Sequence, residues 1–280
     1  KQEFGQAFNT MLVDYHTHSK LCRHAHGEIE EYVQAAVKLG LHEVGCSDHG
    51  PLPDNYDLQH RMTLDEYYSS YAPAVSELVD RYRHKIRIKR GIECDHLEWT
   101  DKWTKHFVAE NDFDFVIGSV HFVGAQGSEK PLFGPTYDEA ELPGLHEAYY
   151  QSVRDSAKSG MCDIIAHCDL VKKLGASGSK KIDEAIWAAL EEIRKSDLCI
   201  EINTSGWRRI EHEAYPGERI LSFAKDLKIP MTLGSDAHTP EDVARDFDKA
   251  VALIERYGRG RVSVFEKRRR SEVKVSRLGH

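Results

Sequence analysis

The segment Met11-Leu12-Val13-Asp14-Tyr15-His16-Thr17-His18 joins a short apolar run to two alternating histidines. Six more short apolar runs lead into residues with metal-ligand or polar side chains. Apolar, β-branched runs read Met11 to Asp14, His42 to Cys46, Ile86 to Ile92, Phe113 to Ile117, Cys162 to Ile165, Leu198 to Ile202 and Ile229 to Leu233. Amphipathic stretches separate them. Glu30 to Leu39 carries Val33, Ala36 and Val37 on one face and stops at Gly40. Leu64 to Tyr82 starts after Thr63, with Glu66 placed to close a capping box. Glu184 to Lys195 and Glu241 to Tyr257 read as further helices, the latter with Pro240 before it. Near-continuous apolar strands alternating with helices predict a parallel sheet covered by helices. Seven strands in one chain favour a barrel over an open sheet. The basic cluster Lys267 to Arg270 reads as a solvated helix or tail.

Each run is followed by residues of one chemical kind. They are Asp14, His16 and His18; Asp48 and His49; Glu93; His121; His167 and Asp169; Glu201 and Asn203; Asp236 and His238. In a parallel α/β barrel every strand ends on the same face, so these residues should converge. Alternate residues of a strand point the same way, so His16 with His18, and Asp236 with His238, can each grip one ion. Imidazoles with carboxylates suit zinc, iron, nickel or copper. Six or more histidines exceed the three or four protein ligands of one catalytic zinc, which implies a multinuclear site. His42, His60, His84, His96, His106, His146, His212 and His280 fall outside the pattern and read as ordinary loop, core or surface residues.

Composition limits the alternatives. With 280 residues, 40% hydrophobic and 9% aromatic, the chain can bury a sizeable core and is read as a single domain over 1–280. No apolar run is long enough to cross a membrane, and Lys1 to Thr10 lacks the apolar centre of a secretory signal. The six cysteines form no C-x-x-C pair, which predicts free thiols and a cytoplasmic setting. A net charge of −8, from 46 acidic and 38 basic residues, argues against nucleic-acid or membrane partners. The oligomeric state is open.

At these residues the chain resembles the PHP (polymerase and histidinol phosphatase) family of metal-dependent phosphoesterases, from Asp14 to about Val264. The stretches that carry the resemblance are Asp14-Tyr15-His16-Thr17-His18, Cys22-Arg23-His24-Ala25-His26-Gly27, Ser47-Asp48-His49-Gly50-Pro51-Leu52-Pro53, Gly118-Ser119-Val120-His121-Phe122, Ile165-Ala166-His167-Cys168-Asp169-Leu170, Glu201-Ile202-Asn203-Thr204-Ser205-Gly206-Trp207-Arg208 and Gly234-Ser235-Asp236-Ala237-His238. Ser-Asp-His-Gly-Pro-Leu-Pro, Ser-Val-His-Phe and the Arg208 segment point to the branch of monofunctional histidinol-phosphate phosphatases. The resemblance implies a distorted (β/α)7 barrel and three divalent ions (zinc, iron or manganese). His16, His18, Glu93 and Asp236 would hold one ion. Glu93 would bridge to a second, held also by His121 and His167. His24, His49 and His238 would hold the third. Two stretches depart from the family: Val123 to Pro135, Gly-rich and short, and Cys168 where proline is usual.

The implied reaction is hydrolysis of a small phosphate monoester, L-histidinol phosphate first among them, by a metal-bound hydroxide. Arg208 is the expected clamp on the phosphate, and Arg61 a second candidate. Asp48 and Asp169 adjoin ligand histidines. They are expected to orient an imidazole or to protonate the leaving oxygen, the first being favoured. Two rivals are a PHP phosphoesterase acting on another small phosphate or on nucleic-acid ends, and a non-catalytic metal-binding domain. Three divalent ions would also make the barrel mouth positive within an acidic protein.

Overall fold

The computed structural model describes residues 10–175 and 178–278. Its centre is a ring of parallel strands in chain order. Val13–Asp14 pairs with Glu43–Cys46, which pairs with Arg87–Arg90. That third position continues past a bend at 91–92 as Glu93–Asp95, which pairs with Ile117–Ser119. Ile164–Ile165, Cys199–Asn203 and Met231–Gly234 complete the series. The last strand returns to the first: Tyr15 N donates to Leu233 O at 3.1 Å, and His18 N to Ala237 O at 2.9 Å. The expected seven-position barrel is the observed fold, distorted because its pairing splits into two sheets at the bend.

Helices lie between successive strands: Ile29–Lys38, Leu64–Glu66 continuing through 67–71 to Ala72–Tyr82, Asp101–Ala109, Leu142–Ser159, Lys180–Lys195, Glu218–Asp226 and Phe247–Tyr257. The capping box at Thr63 forms in both directions. The helix expected from Glu184 starts four residues earlier, where Ser179 caps Ile182 N at 3.2 Å. The helix expected from Glu241 starts later, at Phe247, behind a single turn at Pro240–Asp242. Its intended first turn is diverted. Ala244 takes φ +53°, and its N–H is drawn to the buried Asp14 carboxylate at 3.0 Å.

The basic cluster is neither helix nor tail. Lys267 and Arg268 make the turn of a hairpin between Arg261–Glu266 and Arg269–Val275, and the second arm also pairs with Thr10–Met11. Lys267 N and Arg268 N both cap Asp114, and the Arg268 guanidinium grips Asp163 at 2.9 and 3.1 Å. The hairpin closes the N-terminal end of the barrel. Phe265 packs edge-on to Tyr15 at 5.7 Å, and Tyr15 packs on Phe115 at 4.9 Å. Phe115 needs glycines beside it: a Cβ at Gly91 or Gly45 would stand 2.2 or 2.6 Å from its ring. Cys168 is a buried core residue. No described helix is long and apolar enough to cross a membrane.

Candidate metal centre

The C-terminal strand ends gather the nine expected ligands into one cluster. Glu93, 1% exposed, is its hub. Its Oε2 lies 3.4 Å from His16 Nε2, 3.7 Å from His18 Nε2 and 2.8 Å from His49 Nδ1. Its Oε1 lies 3.3 Å from His167 Nε2 and 3.8 Å from His121 Nε2, and accepts from Ser119 Oγ. Asp236 Oδ1 is 3.1 Å from His18 Nε2 and 3.8 Å from His16 Nε2. His24 and His238 sit outermost, their Nε2 atoms 3.0 Å apart, and the His238 ring stacks 4.1 Å from His18. Local backbone brings these groups inward at a cost. His167 has φ +23° and Asp236 φ +52°, a region L-residues rarely occupy.

The donor set fits cations. His16 Nε2, His49 Nδ1 and Glu93 Oε2 face one another, are buried and make no hydrogen bond. Buried polar atoms are normally satisfied, so three facing one another mark a place where something other than hydrogen bonds is bound. Ligand atoms of His16, His18 and Asp236, of His49, Glu93 and His121, and of His18, His49 and His238 form groups within 4.8 Å. Cys22 forms such a group with His24 and His238.

The electrostatics agree. Burial favours a neutral Glu93, but His49, His16 and His121 outweigh it and hold the carboxyl well below its ordinary value. Asp236 behaves likewise, through His16 and His18. Burial also disfavours charge on His16, yet Glu201, Glu93 and Asp236 overcome it and push its pKa well up. Burial keeps His49 well below the usual range and, helped by His18, brings His238 down to about 3. Buried carboxylates thus demand positive charge, drawing it onto His16, His18 and His121, while burial favours the neutral form of His49 and His238 that ligation requires.

Carboxylates also stand behind the cluster. Glu201 Oε1 is 2.7 Å from His16 Nδ1, while its Oε2 accepts from His167 N at 3.1 Å and Asn203 Nδ2 at 3.0 Å. A Cβ at Gly234 would stand 1.8 Å from Glu201 Oε1, so only glycine leaves it room. Asp95 Oδ2 is 3.1 Å from His121 Nδ1 and 2.6 Å from Arg61 Nη2. Sequence reading had placed Glu201 at a strand end without a role and had passed over Asp95.

Above the cluster opens a cavity of about 500 Å³. Phe122, Phe133, Leu170 and Tyr215 form apolar wall, and Arg209, Lys173, Asp57 and His60 carry polar groups. Burial brings Lys173 down to about 8, and Arg209 adds to the shift. The expected stretch Val123 to Pro135 contributes here, as a short ribbon pairing Phe122–Val123 with Lys130–Pro131.

Several expectations change. Arg208 turns from the cavity: its Nη2 donates to Ser235 O at 2.8 Å and its Nε lies 3.5 Å from Asp242. Its neighbour Arg209 lines the cavity instead. Arg61 reaches the wall but is 2% exposed and committed to Asp57, Asp95 and Gly50 O. Asp169 points away from His167, to Gly217 N at 2.8 Å and Lys172 at 3.0 Å, because the chain leaves the strand in a turn at His167 (φ +23°) and residues two apart no longer share a face. Asp48 does lie behind a ligand, 3.5 Å from His18 Nδ1, and accepts from Ser19 N and His49 N. His26, His84 and His106 are exposed. His280 lies outside the described residues.

Comparison with known proteins agrees with the geometry. Residues 14–205 match the family model of the PHP domain, and residues 217–246 that of the PHP-associated family. A Deinococcus radiodurans protein named probable histidinol-phosphatase is 37% identical over 262 residues, covering 93% of this chain and 98% of that one. A histidinol-phosphatase of Bacillus subtilis is 27% identical, covering 87% and 98%. The fold matches the crystal structure of a Lactococcus lactis histidinol phosphate phosphatase complexed with zinc, L-histidinol and phosphate. The TM-score is 0.74 at 23% identity, covering 92% of this chain and 98% of that one.

Proposed function

The chain belongs to the PHP family, and on that premise we propose that it is a metal-dependent phosphomonoester hydrolase whose substrate is L-histidinol phosphate. Water cleaves the ester to L-histidinol and phosphate. The observation that carries the reading is the set of buried, unbonded ligand atoms around Glu93 beneath a largely apolar cavity that Arg209 and Lys173 also line. The end-to-end likeness to histidinol-phosphatases supplies the substrate.

In this reading His16, His18, Glu93 and Asp236 hold one divalent ion. Glu93, His121 and His167 hold a second, and His24, His49 and His238 a third. Zinc, iron and manganese all suit the donors. Bound ions would supply Lewis acidity, offsetting charge on phosphate and acidifying water. The chain's own groups bind and orient. Arg209 and Lys173 face the cavity and meet the phosphate dianion, Arg209 with a fork suited to two oxygens. Arg61 fixes the wall through Asp57 and Asp95 and stays out of phosphate binding. Phe122, Phe133 and Tyr215 offer faces to an imidazole, and Asp57 a carboxylate to the ammonium. A cavity of this size suits a small ester rather than a polymer. The proposal includes a single catalytic unit over 1–280 and a cytoplasmic setting, in keeping with six buried free cysteines.

The test is phosphate release by zinc-, iron- or manganese-loaded protein from L-histidinol phosphate, nucleoside monophosphates and single-stranded DNA. Preferred turnover of L-histidinol phosphate supports the proposal. No phosphatase activity after metal loading would leave the chain a binding domain.

A further inference from the structure

Four imidazoles of the cluster are held from behind in two different ways. His16 and His121 are each bonded through Nδ1 to a buried carboxylate: Glu201 at 2.7 Å and Asp95 at 3.1 Å, both 1% exposed. In both residues Nε2 is left facing Glu93. His24 and His238 are held through Nδ1 by neutral backbone carbonyls, Cys22 O at 2.8 Å and Asp236 O at 3.0 Å. The Asp236 carboxylate lies farther from His238 Nδ1, at 3.5 Å, and turns the same oxygen to His18 at 3.1 Å. Exposure follows the same division. The His16 side chain is sealed, whereas His24 is exposed and the His238 side chain is 26% accessible.

Two physical effects then act together. A carboxylate behind an imidazole fixes its tautomer, stops ring rotation and raises the basicity of the free nitrogen, which strengthens any cation on that nitrogen. A carbonyl fixes the tautomer but adds no full charge. Water also reaches the outer histidines and can replace them one at a time, while His16 is sealed and the His121 side chain only 11% accessible.

We propose that the centre is graded. The inner positions around Glu93 bind divalent ions tightly because Glu201 and Asp95 act as positioning residues, and the outer position at His24 and His238 binds weakly and exchanges with free metal. This rests on the hydrolase reading above. Glu201 has a second duty that strengthens the argument. By accepting from His16 Nδ1 and His167 N with one carboxylate, it ties a ligand of the first strand to the backbone of a ligand after the fifth.

The experiment is zinc titration of the whole protein in chelator-buffered solutions, with bound zinc per chain read by inductively coupled plasma mass spectrometry. Two separated steps are expected, the weaker corresponding to the outer position. A variant carrying His24→Ala and His238→Ala should lose the weak step and keep the tight one. Glu201→Gln and Asp95→Asn should each weaken the tight step by about 10–100-fold and leave the weak step in place. Circular dichroism checks that each variant folds, and Asp95→Asn alone suffices if Glu201→Gln does not. A single step, a weak step that survives in the double variant, or equal weakening of both steps by Glu201→Gln and Asp95→Asn would overturn the grading. Absence of zinc binding altogether would overturn the metal-centre reading itself, and the grading with it.

Discussion

The two ends of this barrel are built from the same strands on opposite terms. At the C-terminal end, buried nitrogens and carboxylate oxygens have no hydrogen-bond partners, and two residues sit at positive φ. At the N-terminal end, Tyr15, Phe115 and Phe265 pack ring against ring, and the Tyr15 hydroxyl donates to Glu43. Glu43 in turn pairs with Arg87 at 2.9 Å. One end concentrates the free-energy cost of burying ionisable groups on a strained backbone. The other supplies apolar burial of roughly 1.5–3 kcal/mol per large side chain. The contrast teaches that chemistry here is separable from stability, and mutations at either end should show it.

The largest effect belongs to the hub. Glu93→Gln should lower kcat by about 10²–10³-fold or more, since it removes a group shared among the cluster's imidazoles. Its thermal midpoint without metal should fall only slightly, because the imidazoles that hold the carboxylate charged lose their partner while one buried charge is removed. A fall in stability matching the fall in activity would break the separation. At the other end Phe115→Ala should cost about 3–5 kcal/mol in denaturant unfolding, and Gly91→Ala about 1–3 kcal/mol through overpacking. Both should leave kcat of the folded fraction within about twofold.

Within the cavity, Arg209→Ala should raise KM about 10–100-fold, the worth of a charged hydrogen bond of about 1.5–3 kcal/mol. Arg208→Ala should leave KM nearly unchanged. The reverse ranking would restore Arg208 to the phosphate. The smallest effect is a pH dependence. Burial lowers the Lys173 pKa to about 8. Its ammonium is therefore present below that pH and lost above it. The kcat/KM for a phosphate dianion should decline as pH rises through about 8, and Lys173→Arg should flatten that limb.

The ring of strands and the gathering of ligands were legible in the sequence because both follow from period and position. Apolar runs mark strands, and parallel strands end on one face. Depth was not legible. Glu201 and Asp95 read like any strand-end acids, and only three-dimensional packing puts them behind His16 and His121. Arg208 and Arg209 are consecutive at the end of a tight helical turn (Thr204–Arg208), so which one faces the cavity depends on where that turn stops. Asp169 was not legible either: two residues after His167, strand alternation would put it on the same face, and only the turn at His167 sends it elsewhere. The closing hairpin was legible too. The alternation in Arg261-Val262-Ser263-Val264-Phe265 and in Glu272-Val273-Lys274-Val275 is a strand signal that the cluster of charges masked.

That hairpin has a consequence for how the molecule is made. Its second arm lies beside Thr10–Met11, with Thr10 opposite Lys274 and Met11 opposite Val275. The earliest and latest described segments are therefore neighbours. A chain leaving the ribosome holds Tyr15 and Phe115 without their third ring until Phe265 has been added, so this end of the barrel closes only once that residue has emerged. Contacts this distant in sequence form slowly, and the uncovered edge of the first strand invites pairing with other chains in the interval.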